Sequence, residues 1–262
     1  MSNTAAVLAF DFGASSGRAI RAVYDGQNLT YEEIHRFENV PIEKDGHLCW
    51  DVETLLKEIH TAIQKAGTFD SLGFDTWGVD FGLLDADGHL LANPVHYRDA
   101  RTNGKPEQAA ACMPAEELYA HTGNQIMAIN TLFQLLALRE QDPELLQKAE
   151  QILFMPDLFA ALLGAEPVCE RSIASTSQML DPRTGQWSRE VLAAYGLPEN
   201  CFAPIVASGT VTGTLANGAK IIAVAGHDTQ CASAAMPCAE EDAEHPAFLS
   251  CGTWSLLGTE LD

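Results

Sequence analysis

The stretch AAVLAFDFGASSGRAIRAVY, residues 5–24, holds an apolar run broken at Asp11, a turn of small and hydroxylated residues, and a second extended run. Val, Leu and Phe over residues 5–12 predict a buried strand, and Gly13-Ala14-Ser15-Ser16-Gly17 predicts the turn that ends it. Residues 18–24 resume a strand pattern, and Asp25-Gly26 turns the chain into a third extended segment over 29–37. Three consecutive strands joined by hairpins are the expected start of the fold.

Working outward, Val52, Leu55, Leu56, Ile59, Ala62 and Ile63 recur at helical spacing, and Gly67 closes that helix. Residues 71–75 read as the next strand, and 79–84 with 89–91 as a hairpin about Asp87-Gly88. Helices dominate from 105 to 161, with Gly123 as a stop, Asn130 as a cap and Asp142-Pro143 as cap and first helical residue. A buried strand over 221–225 leads into Gly226-His227-Asp228-Thr229 and a helix over 230–235, and residues 247–258 form a last hairpin about Cys251-Gly252. Strands and helices in this order predict a mixed α/β fold.

Composition sets outer limits. A chain of 262 residues that is 47% hydrophobic can fill a substantial core. With 15 basic against 36 acidic residues its formal charge is −21, the wrong sign for a protein that neutralises nucleic-acid phosphates or binds an anionic membrane. An anionic cosubstrate is still compatible, because one loop of backbone N–H groups makes a local positive site. The seven cysteines form no C-x-x-C pair and read as reduced thiols. The N-terminus lacks a basic region, and no apolar run approaches the ~18 residues of a membrane span, so the expected location is the cytoplasm.

Four segments carry chemistry. The turn from Ala14 through Ser15, Ser16 and Gly17 to Arg18 offers N–H groups, two hydroxyls and a charge to one anion, and Asp11 before it suits a Mg²⁺ hydration shell. The same residues also read as an ordinary tight hairpin. They further satisfy G-x-S-x-G, the nucleophile elbow of serine hydrolases with Ser15 as nucleophile, although an elbow requires a helix after the turn and strand-like sequence follows here. In Asp75-Thr76-Trp77-Gly78-Val79-Asp80-Phe81, carboxylates, an indole and a glycine make the mixture that binds sugars, or a strand turn with a core Trp. The run His96-Tyr97-Arg98-Asp99-Ala100-Arg101 either lines the same cleft or forms a surface salt-bridge patch.

Gly226-His227-Asp228-Thr229 falls between a strand end and a helix start. Asp228 either caps that helix or accepts a proton from a substrate hydroxyl attacking a phosphoryl group. The segment around Cys251-Gly252-Thr253 repeats the small, hydroxylated logic of the first turn, so two loops could hold one triphosphate. A plain hairpin is the other reading. The histidines His35, His60 and His121 lack ligand spacing and read as structural.

Taken together, DFGASSGR (11–18), HRFEN (35–39), DTWGVDF (75–81), YRDARTNG (97–104), Met155-Pro156-Asp157, GHDT (226–229) and SCGTWSLLG (250–258) resemble the FGGY carbohydrate kinases, one ketose-phosphorylating member above others. The resemblance implies a ribonuclease-H-like core of the actin, hexokinase and heat-shock ATPase superfamily, a mixed sheet with flanking helices, followed by the first strands of a second, similar domain. It implies that residues 14–18 and Thr253 bind the phosphates of ATP. It implies that Gly78, His227, Asp228 and Thr229 contact a ketose, with Asp228 as catalytic base and Mg²⁺ as companion of ATP. Trp77 and Asp80 join the expected sugar contacts, and Asp11 is the expected metal residue, through water. Another ketose or polyol as acceptor, a serine hydrolase and a noncatalytic sensor on the same fold are the alternatives. The acidic run Glu240, Glu241, Asp242 and Glu244 reads either as a solvated loop within one domain or as the junction between an N-terminal sugar-binding domain, 1–239, and the start of a nucleotide-binding domain, 240–262. A chain so divided is expected to bind sugar weakly and to have little kinase activity alone.

Overall fold

The structure is a computed structural model that describes residues 4–237, 247–252 and 255–259. Strand β1 (Ala5–Phe12) pairs antiparallel with β2 (Ser16–Tyr24), which pairs antiparallel with β3 (Leu29–Glu38). Helix α1 (Val52–Ala66) follows, its first turn capped by Asp51 and its end closed by Gly67 at φ 66°. The chain then enters the Ser71–Thr76 strand, parallel to β1 on the side away from β2. The Lys220–Ala223 strand lies parallel beyond it, and the antiparallel Thr210–Thr214 strand completes six strands. An antiparallel meander, a crossover helix and added parallel strands make the ribonuclease-H-like arrangement expected from the sequence.

Alternation in β1 explains the core. Leu8, Phe10 and Phe12 point to one face and are fully buried. There Phe10 stacks on Phe74 with ring centroids 4.8 Å apart, and Phe12 stacks on Phe159 of the Met155–Leu162 helix at the same separation. A second apolar cluster, centred on Leu132, Phe133 and Leu135 of the Thr131–Gln141 helix, forms the core of the inserted region.

Three local expectations are corrected. The expected hairpin about Asp87-Gly88 is present as a short one, closed by the Gly88 N–H on Asp85 O, the Asp85 N–H on His89 O, the Leu84–Leu90 bridge and the Leu91 N–H on Leu83 O, but it does not supply the partner strand. The strand is Phe81–Leu84, and its edge is taken by Gln151–Phe154, a strand unseen within the expected helical stretch. Asn130 stands at the helix start but does not cap it, because its amide reaches Gln125 O at 2.9 Å and Gln178 Oε1 at 2.6 Å. The helix after Gly226-His227 starts at Asp228, two residues early. The final hairpin is present as Ala247–Cys251 paired with Ser255–Thr259. The acidic run at 240–244, and with it the domain boundary, lies outside the described residues.

Candidate active site

In the parallel register Asp11 lies beside Asp75 and Phe12 beside Thr76, and Thr76 in turn bridges to His227. The carboxyl ends of three parallel strands thus deliver Asp11, Asp75 and, one residue past His227, Asp228 to one edge of the sheet, where open α/β sheets bind ligands. Burial, with Asp11 and Asp228 adding repulsion, pushes the Asp75 carboxyl up to about 8. Asp75 was quoted in the sequence motif without being placed among the site residues. Only the pairing register reveals that it stands between the other two.

The first turn is held by Asn39. Its amide donates to Gly13 O at 2.9 Å and its backbone N–H to Ser15 O at 3.0 Å, while Gly13 N–H closes on Ser16 O at 2.9 Å. Among the described residues the N–H groups of Ala14 and Ser15 have no partner, so they remain available to an anion. A side chain at Gly17 would drive into the Phe37 ring, which explains the glycine there. Arg18 pairs with Asp11 at 2.8 Å. Because the turn leads into strand β2 and not into a helix, the nucleophile elbow, and the hydrolase reading of Ser15 that needs it, is excluded.

Asp228 is the first residue of its helix, so it does not cap it in the ordinary way. Its Oδ1 accepts the Thr229 N–H at 2.6 Å and the Thr229 hydroxyl at 3.2 Å. Oδ2 has no hydrogen-bond partner among the described residues, and the side chain is 39% exposed. One oxygen fixed and one open to solvent is the arrangement a proton acceptor requires. Burial pulls the neighbouring His227 imidazole down, against the pull of Asp228 and Glu170. A Cβ on Gly78 would lie 3.4 Å from His227 Nε2 and 3.1 Å from Thr176 Cγ2, so Gly78 and His227 face one another across a narrow gap.

Beneath this segment lies a residue that the sequence did not single out. Glu170, 1% exposed, accepts the Gly226 N–H at 3.0 Å together with the N–H groups of Ser172 and Ile173 and the Ser172 and Ser208 hydroxyls. Ser172 Oγ in turn accepts the His227 N–H at 3.3 Å. The segment 226–228 is therefore hung from a buried carboxylate, whose only sequence signal is an acidic residue at a helix cap.

Trp77 and Asp80 lie in the layer behind. Asp80 is 0% exposed and accepts hydrogen bonds from Trp50 Nε1 (2.6 Å), Trp77 Nε1 (3.0 Å), Tyr97 N (3.2 Å) and Gln134 Nε2 (2.9 Å). Trp77 is covered by Trp50 at 4.0 Å, and His96 stacks on the other ring of that pair at 4.2 Å. The structure brings Gly78, His227 and Asp228 together and sets Trp77 and Asp80 behind them as support. The His96–Arg101 run splits: His96 packs inside, Asp99 pins the Leu48 N–H, and Arg101 turns toward a separate cavity. Thr253 falls outside the described residues.

A model of the N-terminal domain of the FGGY family of carbohydrate kinases matches residues 6–234. The chain belongs to this family. It is 41% identical over 268 aligned residues to a protein named rhamnulokinase from Bacteroides thetaiotaomicron, covering 97% of this chain and 55% of that one. It is 40% identical to another of that name from Pectobacterium atrosepticum, covering 98% and 53%. The chain thus spans about half the length of the curated relatives it matches. A crystal structure titled as a carbohydrate kinase from Novosphingobium aromaticivorans superposes with a TM-score of 0.81 at 21% identity, over 99% of this chain and 56% of that one, which shows the shared fold. Among the described residues no helix is long and apolar enough to cross a membrane.

Proposed function

We propose that this FGGY chain forms the sugar-binding side of an ATP-dependent kinase that converts L-rhamnulose to L-rhamnulose 1-phosphate. The observation that carries the reading is Asp228, one oxygen held by Thr229 and the other free, on the same sheet edge as the turn at residues 14–18. The 40–41% identity to proteins named rhamnulokinase supports the choice of ketose.

In this reading Gly78, His227 and Thr229 seat the ketose with its 1-hydroxyl toward Asp228. The Asp228 carboxylate takes the hydroxyl proton as that oxygen bonds to the γ-phosphorus and the bond from phosphorus to the ADP oxygen breaks. The free N–H groups of Ala14 and Ser15, the Ser15 and Ser16 hydroxyls, Gly17 and Arg18 grip the phosphates, with Thr253 doing so from a second domain that begins near residue 240. Trp77 and Asp80 hold Gly78 in place from behind. The oxygen-rich edge made by Asp11, Asp75 and Asp228 fits a hard divalent cation, which would offset both the burial and the like charges that push the Asp75 carboxyl up to about 8. Asp11 would hold Mg²⁺ through water, and the ion when bound neutralises triphosphate charge. The acidic surface is consistent with small-molecule partners and no nucleic acid, and the dependence on ATP places the reaction in the cytoplasm.

The test is ATP-dependent phosphorylation of a ketose panel by a chain carrying both halves of the kinase. L-rhamnulose should be preferred, and Asp228→Asn should lower kcat by about 10²-fold or more while sugar affinity stays near normal. Normal turnover by Asp228→Asn would refute the assignment.

A further inference from the structure

Away from the sheet edge, a cavity of about 310 Å³ opens between the His47–Cys49 strand, the 91–95 segment and the end of the Thr131–Gln141 helix. That volume lies at the lower end of small-molecule sites, ~300–1,000 Å³. Phe81, Leu83, Leu91 and Leu145 form an apolar wall, and Lys44 and Arg101 supply cationic groups beside the His47 imidazole.

Arg101 is the informative residue. Its Nη2 donates to Gln134 Oε1 at 3.0 Å, but its Nε is buried with no hydrogen-bond partner, and no carboxylate lies within ion-pair distance of the guanidinium among the described residues. Buried charges in proteins are paired, and buried N–H groups are bonded. The carboxylates whose charges reach Arg101, Asp80 and Asp99, are engaged by other donors, and Asp45 and Asp142 share the cavity lining. Asp99 accepts from Leu48 N, Arg101 N and His47 Nδ1, Asp142 caps the helix that follows it through Leu145 N, and Asp45 lies on an exposed hairpin tip. The Lys44 side chain at the rim makes no hydrogen bond or ion pair among the described residues.

We propose that this cavity is a second ligand site, distinct from the kinase centre, that takes a small organic anion with a phosphate or carboxylate head on Arg101 and Lys44 and its body on the apolar wall. The guanidinium that would hold the head also touches Gln134, which donates to Asp80 beneath Trp77, so an occupant lies a short hydrogen-bonded chain away from the support of the sugar segment.

Isothermal titration at low salt with inorganic phosphate, glucose 1-phosphate and succinate tests this and tells a phosphate head from a carboxylate. At least one organic probe should bind more tightly than about 10 mM. Lys44→Glu, a change on an exposed side chain with no partner, should weaken it about fivefold or more, and Arg101→Gln should abolish it. Asp228→Asn should leave that binding unchanged, which separates this site from the kinase reading. The proposal is overturned if none of the three probes binds, if Lys44→Glu has no effect, or if Asp228→Asn removes the binding.

Discussion

Replacing Asp80 with Asn asks whether a fully enclosed carboxylate helps or harms the fold, and the answer should depend on pH. The amide oxygen can keep the Trp50, Trp77 and Tyr97 donors that now meet on Oδ2, but its NH₂ must then face Gln134 Nε2, a donor against a donor. That conflict should cost about 1–3 kcal/mol at any pH. Against it stands relief of a buried charge. Burial, only partly offset by the four hydrogen bonds, pushes the Asp80 carboxyl from its ordinary 3.8 to about 6. An acid raised in the folded state binds its proton there more tightly than in the unfolded chain, so its contribution to stability is full below the unfolded value and is lost as pH rises through the folded one. Integrated from pH 4.5 to 7.5, the loss is about 2 kcal/mol. Asp80→Asn should therefore destabilise clearly at pH 4.5 and come close to neutral at pH 7.5. Urea unfolding followed by tryptophan fluorescence reads this, because Trp50 and Trp77 both donate to the substituted group. Equal destabilisation at the two pH values would refute the reasoning, and a larger loss at pH 7.5 would show that the charge stabilises the fold.

The same sign extends to Asp75, whose carboxyl is pushed up to about 8: without divalent cation, Asp75→Asn should remove about 2 kcal/mol of the stability that the parent loses between pH 6 and 8.5, measured by urea titration. Gly17→Ala puts a methyl group into the Phe37 ring, which is wedged edge-on against Phe12 at 5.2 Å, and should lower stability by about 1–3 kcal/mol, with a matching fall in urea midpoint. The Cys231 thiol, donating to Ala225 O at 2.9 Å and pushed up to about 12 by burial and surrounding carboxylates, should resist a thiol reagent at pH 8 under which the exposed Cys112 and Cys251 react. Labelling followed by peptide mapping would decide it.

Much of the architecture could be read from the chain because local signals agreed. The strands at 5–12 and 29–38 and the Asp51-capped helix show their period, their turn residues and their caps within a few positions of one another. The Gln151–Phe154 strand is not legible in the sequence because three apolar residues, Ile152, Leu153 and Phe154, have no period of their own between helices, and only the partner at Phe81–Leu84 makes them extended. The site divides along the same line. Gly78 and the His227-Asp228 pair announce themselves by type and position, whereas the roles of Asp75, Glu170 and Asp80 depend on what the fold brings to them from 56 or 54 residues away, as with Gly226 N on Glu170 and Gln134 on Asp80. A sequence lists carboxylates, and burial and register decide which of them reach the open sheet edge and which hold the frame.

Between Gly78 and Asp80, Val79 takes a φ of 68°, a conformation β-branched residues avoid at a cost of about 1–3 kcal/mol. Its N–H donates to Thr176 Oγ1 at 3.0 Å, and its carbonyl accepts the Thr131 hydroxyl at 2.6 Å, so two separate parts of the inserted region grip a single residue through its two flanking peptide groups. The pitch of Gly78 is thus tuned like a string between two pegs that stand outside the six-stranded sheet. Remodelling those segments would shift the backbone at Gly78 without altering one residue of the strands that carry the acidic edge.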